Sequence, residues 1–108
     1  MATLGELEQL VLLALLRLDG DGYGVAVQRD IEARAGRRVA LGAVYTALTR
    51  LEEKGLISAR VGDPTPERGG RRKRLFSVNA SGRVALTRSI EALRAMTRGL
   101  APDLRLSK

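Results

Sequence analysis

The chain has 108 residues, which is enough for one small domain but too few for a catalytic domain and a regulatory domain together. It contains no cysteine and no histidine, which excludes disulfides, thiolate metal sites and thiol nucleophiles and removes the usual acid–base group of neutral pH. Residues 1–54 carry seven basic and eight acidic side chains and residues 55–108 carry twelve and four, so the net charge of +7 lies in the second half and favours a polyanionic partner there.

The first predicted element is an apolar helix from about Leu4 to Leu18. Thr3 followed by Glu6 is typical of a capping box at its start, and the turn Asp-Gly-Asp-Gly at 19–22 ends it. Because its apolar residues lie on nearly all sides, we expect this helix either to form the centre of the core or to pack partly against a second subunit. The apolar run is far shorter than the ~20 residues of a membrane span and has no basic segment before it, which predicts a cytoplasmic protein with no membrane partner.

Two further helices are predicted before any strand. The second runs from Tyr23 to Ala35 and is followed by Gly36, which is typical of a helix C-terminus. The third runs from Leu41 to Lys54, where apolar residues recur every three or four positions. These apolar residues are Leu41, Val44, Tyr45, Leu48 and Leu51. The opposite face carries mainly short side chains, namely Gly42, Ala43, Thr46, Ala47, Thr49, Arg50 and Glu53. Such a face suits the close approach of a grooved surface, although it is also typical of a helix that packs against another helix.

A β-hairpin with a basic return strand is predicted after the third helix. The alternating residues Ile57, Ala59 and Val61 indicate the first strand, and the segment at 62–70, with two prolines and three glycines, indicates a loop. The residues at 71–78 return as the second strand. This strand begins with four consecutive basic residues, so a basic hairpin is expected.

The last predicted helix runs from its N-cap Asn79 to about Arg98. Its apolar residues follow a spacing near the a/d seam of a coiled coil. They are Leu86, Ile90, Leu93, Met96 or Thr97, and Leu100. A seam of this length on a terminal helix favours contact between two subunits over burial in the subunit's own core. The segment at 101–108 is predicted to be a frayed, flexible tail.

These elements predict a mainly α-helical fold with a small β-hairpin, in the α-α-α-β-β-α order of a winged helix–turn–helix with a long C-terminal dimerisation helix. Residues 1–78 are expected to form the DNA-binding domain and residues 79–100 the dimerisation helix. In this fold the third helix lies in the major groove of double-stranded DNA, which is about 12 Å wide and suits a helix whose exposed side chains are short. The basic hairpin residues Arg68, Arg71, Arg72 and Lys73 are expected to neutralise phosphates.

Five short segments form a recognisable pattern. They are Gly-Tyr-Gly-Val at 22–25, Leu-Gly-Ala-Val-Tyr-Thr-Ala-Leu at 41–48, Arg-Leu-Glu-Glu-Lys-Gly-Leu-Ile at 50–57, Arg-Arg-Lys at 71–73 and Ser-Gly-Arg at 81–83. In these segments the chain resembles the PadR family of transcriptional regulators. The resemblance implies a dimeric winged-helix repressor whose dimer is formed by the C-terminal helix and the first helix. It also implies that Tyr45 offers its hydroxyl to a DNA phosphate and that Gly42, Ala43 and Thr46 face the groove.

The predicted site residues fall into two groups. The residues predicted to contact DNA are Gly42, Ala43, Tyr45, Thr46, Thr49, Arg50, Arg68, Arg71, Arg72 and Lys73. The residues predicted to form the dimer interface are Leu7, Val11, Leu86, Ile90, Leu93, Met96 and Leu100. Two assignments have an alternative. Tyr45 is also typical of a core aromatic residue with its hydroxyl at the rim, and Arg50 is able to pair with Glu52 or Glu53 of its own subunit.

The function expected from the sequence is that of a repressor that binds a pseudo-palindromic operator as a homodimer. The alternatives are a winged-helix module for an acidic protein partner and a sequence-neutral architectural DNA-binding protein. We expect no enzymatic activity, no metal and no cofactor, because the chain offers no convergent acid–base group. Some members of the resembled family hold flat aromatic effectors between tryptophans; this chain has no tryptophan, so nothing in the sequence supports such a small-molecule effector.

Overall fold

The structure is a computed structural model that describes residues 3–64 and 72–104. The described residues form three helices, an antiparallel hairpin, a long fourth helix and one further helical turn. In chain order these are α1 (Glu6–Leu18), α2 (Gly24–Ala35), α3 (Leu41–Glu53), β1 (Ile57–Pro64), β2 (Arg72–Val78), α4 (Ala80–Thr97) and α5 (Ala101–Leu104). This is the order of a winged helix–turn–helix, so the fold class predicted from the sequence is confirmed.

The start of α1 differs from the predicted capping box. Gly5, and not Thr3, directly precedes the helix, and its backbone N–H donates to Glu8 Oε1 at 2.7 Å. The capping residues therefore lie two positions later than predicted. A second contact explains the shift, because both carboxylate oxygens of Glu8 accept hydrogen bonds from Lys54 Nζ at 2.8 Å. This contact holds the first turn of α1 against the end of α3.

α1 is the central helix of the hydrophobic core. Its buried side chains include Val11, Leu12, Ala14 and Leu15. The helices α2 and α3 pack against α1 and contribute Val27, Ile31, Val44, Ala47, Leu48 and Leu51. Full burial of one such aliphatic side chain stabilises a fold by roughly 1.5–3 kcal/mol. Of the two positions that the sequence allows for this helix, the centre of the core is the one observed.

The hairpin is joined to the helices at its base. Ile57 pairs with Val78 in antiparallel register, and the backbone N–H of Phe76 donates to the carbonyl oxygen of Gly22 at 2.8 Å, in the turn between α1 and α2. Ile57 and Phe76 are buried, whereas Val61 is 58% exposed. Only the base of the hairpin therefore packs on the core, and the alternation along β1 does not correspond to a buried face beyond its first residue.

α4 leaves the core halfway along its length. Asn79 caps the helix as predicted, since its Oδ1 accepts a hydrogen bond from the backbone N–H of Gly82 at 2.8 Å. Leu86 is buried and Ile90 half-buried, but every residue from 91 to 96 is exposed. The second half of α4 therefore projects from the core. The molecule, including this helix, measures 54 Å along its longest axis and 21 Å along its shortest.

The segment predicted as a flexible tail begins with regular structure. Residues Ala101–Leu104 form a single helical turn, closed by a hydrogen bond of 2.9 Å from the backbone N–H of Leu104 to the carbonyl oxygen of Leu100. The flexibility of this segment stays a prediction, and residues 105–108 lie outside the described part of the chain.

Candidate nucleic-acid interface

α3 has one face in the core and the other in solvent. Val44, Leu48 and Leu51 are buried as their spacing predicts, and Ala47 is buried with them. The prediction that Ala47 belongs to the exposed face is wrong, because residues three or four positions apart share one side of a helix. The predicted DNA-contacting residues of this helix are on the accessible side: Gly42, Tyr45, Thr46, Thr49 and Arg50 are exposed, and Ala43 is half-buried.

Tyr45 combines the two roles that the sequence leaves open. Its side chain is 46% exposed, yet its ring packs against Gly24, the first residue of α2. A Cβ atom at Gly24 would overlap Tyr45 Cζ and lie 2.6 Å from the hydroxyl oxygen. Within the described residues the hydroxyl has no partner, so it is available at the surface beside the start of α2. The first N–H groups of a helix have no intrahelical acceptor and favour anions, so this corner suits a phosphate oxygen.

The basic return strand reaches the same corner. Lys73 Nζ lies 4.0 Å from the centre of the Tyr23 ring, and Tyr23 is the N-cap residue directly before Gly24. Such a cation–π contact stabilises the position of an exposed ammonium group by about 0.5–1 kcal/mol. The ammonium of Lys73 from β2 therefore lies against the residue that precedes α2, while the hydroxyl of Tyr45 from α3 lies against the first residue of α2.

The structure describes the other predicted hairpin residues only in part. Arg68 and Arg71 lie outside the described residues, and of Arg72 only the backbone is described, in the first position of β2. Arg74, which the sequence analysis did not single out, is bound to Glu52 at 3.0 Å. Arg74 thus joins the hairpin to α3, while DNA contact by the other three residues stays a prediction.

Arg50 is exposed and has no ion pair within the described residues. Of its two predicted alternative partners, Glu52 is bound to Arg74 and Glu53 forms no described ion pair. Arg50 therefore extends a guanidinium group from the exposed face of α3, the group that reads guanine most often in the major groove.

A buried ion pair fixes the end of α3 behind this face. The side chain of Glu8 is 9% exposed and that of Lys54 28%. Burial raises the pKa of the Glu8 carboxyl, but hydrogen bonds from Lys54 and from the backbone N–H of Gly5, together with the charges of Lys54 and Arg50, outweigh burial and lower the pKa below its ordinary value. Lys54 Nζ also donates to the carbonyl oxygen of Thr3 at 2.8 Å. The charge of Lys54 is therefore neutralised within the subunit.

The residues predicted for the dimer interface separate into core and surface. Val11 and Leu86 are only 0% and 3% exposed, because α1 is the central helix and the first half of α4 packs on it. The prediction that these two residues contact a second subunit is therefore wrong. Leu7 and Ile90 are half-buried against the same core, so each keeps some surface for a partner.

The projecting half of α4 and the residues that directly follow it carry the exposed part of the predicted interface. Leu93, Met96 and Leu100 are 59%, 76% and 44% exposed. Leu13 of α1 and Val84 of α4 are large exposed apolar residues that the sequence analysis did not single out. The signal for Leu13 was present in the apolar character of the first helix on nearly all sides. These five residues are named here the apolar stripe.

A groove of about 740 Å³ lies beside the apolar stripe, between the start of α1 and α4. Its lining is mainly apolar and includes Leu4, Leu56, Val84, Ala85 and Leu93.

No helix in the described part of the chain is long and apolar enough to cross a membrane. The same residues contain no group of three or more carboxylates arranged to hold a metal ion.

Comparison with known proteins gives one family match. The sequence model of the transcriptional regulator PadR-like family matches residues 12–88, which is more than half of the chain. A curated relative, an uncharacterized 37.1 kDa protein in transposon TN4556 of Streptomyces fradiae, is 37% identical over 86 residues. The match covers 80% of this chain but 22% of that protein, so the chain spans about a fifth of the length of this relative.

The solved structures similar to this one share its fold. A PadR family transcription regulator from hypervirulent Clostridium difficile R20291 matches with a TM-score of 0.75 and 22% identity, over 93% of this chain and 99% of that chain. Bacillus subtilis PadR, solved in complex with operator DNA, matches with a TM-score of 0.65 and 20% identity, over 79% of this chain and 46% of that chain.

Proposed function

The chain belongs to the PadR-like family of transcriptional regulators, and we propose that it is a cytoplasmic repressor that binds a pseudo-palindromic DNA operator as a homodimer. The observation that carries the proposal is the exposed face of α3, where short side chains and the unpaired Arg50 stand beside the phosphate-suited corner of Tyr45, Lys73 and the start of α2. A similar protein, Bacillus subtilis PadR, was solved with operator DNA, which supports the same class of partner here.

In this proposal α3 lies in the major groove and supplies the base contacts. Gly42, Ala43 and Thr46 leave room for the helix to approach the base edges, because a groove about 12 Å wide accepts a helix with short exposed side chains. Arg50 is long enough to reach a guanine or a phosphate from the next turn. Thr49, which directly precedes Arg50 and is exposed, offers a hydroxyl to a base or a phosphate.

The phosphate contacts come from the corner around α2. Tyr45 donates its hydroxyl to a phosphate oxygen, the first N–H groups of α2 donate to the same phosphate, and Lys73 neutralises its charge. The basic residues Arg68, Arg71 and Arg72 extend these contacts along the backbone. Contacts of this kind position the protein on DNA and bind all sequences alike, whereas the base contacts of α3 provide specificity.

The homodimer is supported by the projecting half of α4. Residues 91–96 are exposed on all sides of the helix, and an isolated helix segment of this length has little stability of its own in water. The apolar stripe supplies a surface for a second copy of α4 and α1. Because such a pair has two-fold symmetry, the two α3 helices read two inverted half-sites about 34 Å apart.

A selection from randomised double-stranded DNA, followed by footprinting on the selected sequence, tests the proposal. We expect a motif with two inverted half-sites and a footprint on both. Absence of binding to any duplex would contradict the proposal and favour a protein partner. Nearly equal affinity for all duplexes would also contradict it, and would identify sequence-neutral DNA binding instead.

The role of the hairpin is tested by the salt dependence of binding. Replacing Arg71, Arg72 and Lys73 by Ala is expected to weaken binding to every sequence and to reduce the slope of log K against log salt by about 0.9 for each phosphate that is no longer neutralised. A matched control replaces three exposed arginines, Arg83 and Arg94 of α4 and Arg98 directly after it, which removes the same charge. An equal change of slope in both variants would show that only net charge matters and would contradict the assignment of phosphate contacts to the hairpin.

A further inference from the structure

The hydroxyl of Thr46 is engaged within its own helix. Thr46 Oγ1 donates a hydrogen bond of 3.0 Å to the carbonyl oxygen of Gly42, one turn earlier. The side chain is nevertheless exposed. Since the three staggered positions on Cβ hold the hydroxyl, the methyl group and a hydrogen, a hydroxyl that is directed at the backbone leaves the methyl group in another position. Thr46 thus offers a partner an apolar group and a lone pair, but no donor.

The neighbouring residues on this face add further apolar surface and no donor. Ala43 ends in a methyl group, and Gly42 has open space where a Cβ atom would be. Ala43, Thr46 and Arg50 also line one shallow depression against the start of α1. Apart from Tyr45, whose ring packs against Gly24, the exposed surface at Gly42, Ala43 and Thr46 therefore consists of methyl groups and backbone, and the long cation Arg50 follows one turn later.

We propose that Ala43 and Thr46 recognise thymine through its C5-methyl group. Thymine is the base that presents a methyl group in the major groove, and apolar side chains contact it there. The inference deepens the proposed function and rests on it: it names the base that the start of the recognition helix selects. In each half-site, one or two adjacent thymines lie opposite Thr46 and Ala43, while Arg50 contacts a base or phosphate farther along.

The first test removes the methyl group from the DNA. Each thymine of the selected operator is replaced in turn by deoxyuridine, which keeps the Watson–Crick pair and all hydrogen-bonding groups. At one or two positions per half-site we expect affinity to fall by about fourfold, the equivalent of one buried methyl group. Uniform affinity across all these duplexes, or a selected motif without thymine in the half-site, overturns the inference.

The second test separates the two branches of the threonine. Thr46→Val keeps the methyl group and removes the hydroxyl, whereas Thr46→Ser keeps the hydroxyl and removes the methyl group. We expect Thr46→Val to retain the preference for thymine over deoxyuridine and Thr46→Ser to lose it. The opposite result, with Ser active and Val inactive, shows that the hydroxyl reads the base and overturns the inference.

The outcomes also distinguish this inference from the proposed function. A selection can yield a motif with two half-sites to which wild type and Thr46→Ser bind equally well, with the same affinity for thymine and deoxyuridine duplexes. That result leaves the repressor proposal intact and refutes only the methyl contact. A selection that yields no motif refutes both. Thermal unfolding of each variant serves as the folding control, because both substitutions lie at an exposed position of α3.

Discussion

Gly24 illustrates how the absence of a side chain orients a neighbouring functional group. The residue lies at the start of α2, and the Tyr45 ring occupies the space that a Cβ atom would take. The ring is thereby held across the end of α2, with its hydroxyl close to the first N–H groups of that helix. In the proposed complex this geometry allows one phosphate to be bound by both.

The replacement Gly24→Ala is expected to weaken DNA binding through Tyr45. The new methyl group must displace the ring and its hydroxyl, so the charge-assisted hydrogen bond to phosphate, about 1.5 kcal/mol, is removed, and affinity falls by about tenfold per subunit. Tyr45→Phe removes the same hydrogen bond while keeping the ring. The affinity of the single variants and of the double variant, measured by fluorescence anisotropy, provides the check: we expect the two losses not to add. Additive losses would show that Gly24 acts independently of the hydroxyl.

At the scale of the elements, the ion pair between Glu8 and Lys54 determines how α3 is held. It joins the first turn of α1 to the residue that directly follows α3, 46 positions later in the chain. Residues so far apart become neighbours only through tertiary packing, which is why the sequence led to a local box of Thr3 and Glu6 instead. The position of α3 thus depends on a contact with the first turn of α1.

This contact predicts a specific pH dependence of stability. The pKa of Glu8 is lowered in the folded state and ordinary in the unfolded chain, so the unfolded chain binds more protons in acid. The contribution of Glu8 is therefore complete above the ordinary carboxyl pKa and is lost as the pH falls through the folded-state value. Urea unfolding between pH 7 and pH 3 should show that Glu8→Gln costs about 2 kcal/mol at neutral pH and progressively less in acid.

The exposed carboxylate Glu53 supplies the control for this experiment. It lies in the same region, at the end of α3, but forms no ion pair within the described residues. We expect Glu53→Gln to change the free energy of unfolding by less than about 0.5 kcal/mol at every pH. A constant difference between wild type and Glu8→Gln across the pH range would contradict the assignment.

The elements themselves were predictable from the sequence because their signals are local. Asn79 was recognisable as an N-cap, and the spacing of Val44, Leu48 and Leu51 defined the buried side of α3. The burial of individual side chains was less predictable: Ala47 is buried although it was expected on the exposed face, and Tyr45 is exposed while its ring packs against Gly24. The corner of Tyr23, Tyr45 and Lys73 combines three elements, and no local pattern contains their distances.

At the scale of the whole molecule, the subunit consists of a packed body and a projecting helix half. Val11 and Leu86 were expected at the dimer interface because they belong to the same apolar series as Leu93 and Met96. A sequence series does not show where a helix leaves its core. The structure shows that α4 does so after Ile90, so of the residues predicted for the dimer interface Leu93, Met96 and Leu100 are exposed, while Leu7 and Ile90 are half-buried.

The double variant Leu93→Glu with Met96→Glu is expected to be monomeric. Charges at both positions would be buried without partners in the dimer, which costs several kcal/mol, while the monomer keeps them in solvent. Analytical ultracentrifugation measures the oligomeric state, and operator affinity should fall with the loss of the second half-site. Thr87→Glu, at another exposed position of α4, is the control and should stay dimeric. A dimeric double variant would place the interface elsewhere.

Two contacts that join the hairpin to the helices bear on the half-site spacing of the proposed operator. The Phe76 N–H donates to the carbonyl oxygen of Gly22 in the turn between α1 and α2, and Arg74 pairs with Glu52 on α3, so the hairpin is joined both to this turn and to α3. In the proposed complex, we therefore expect that neither the hairpin nor α3 can shift alone to fit a different spacing of the half-sites. In the proposed homodimer, the number of base pairs tolerated between half-sites is then set by α4, and lengthening or shortening that helix is expected to change it.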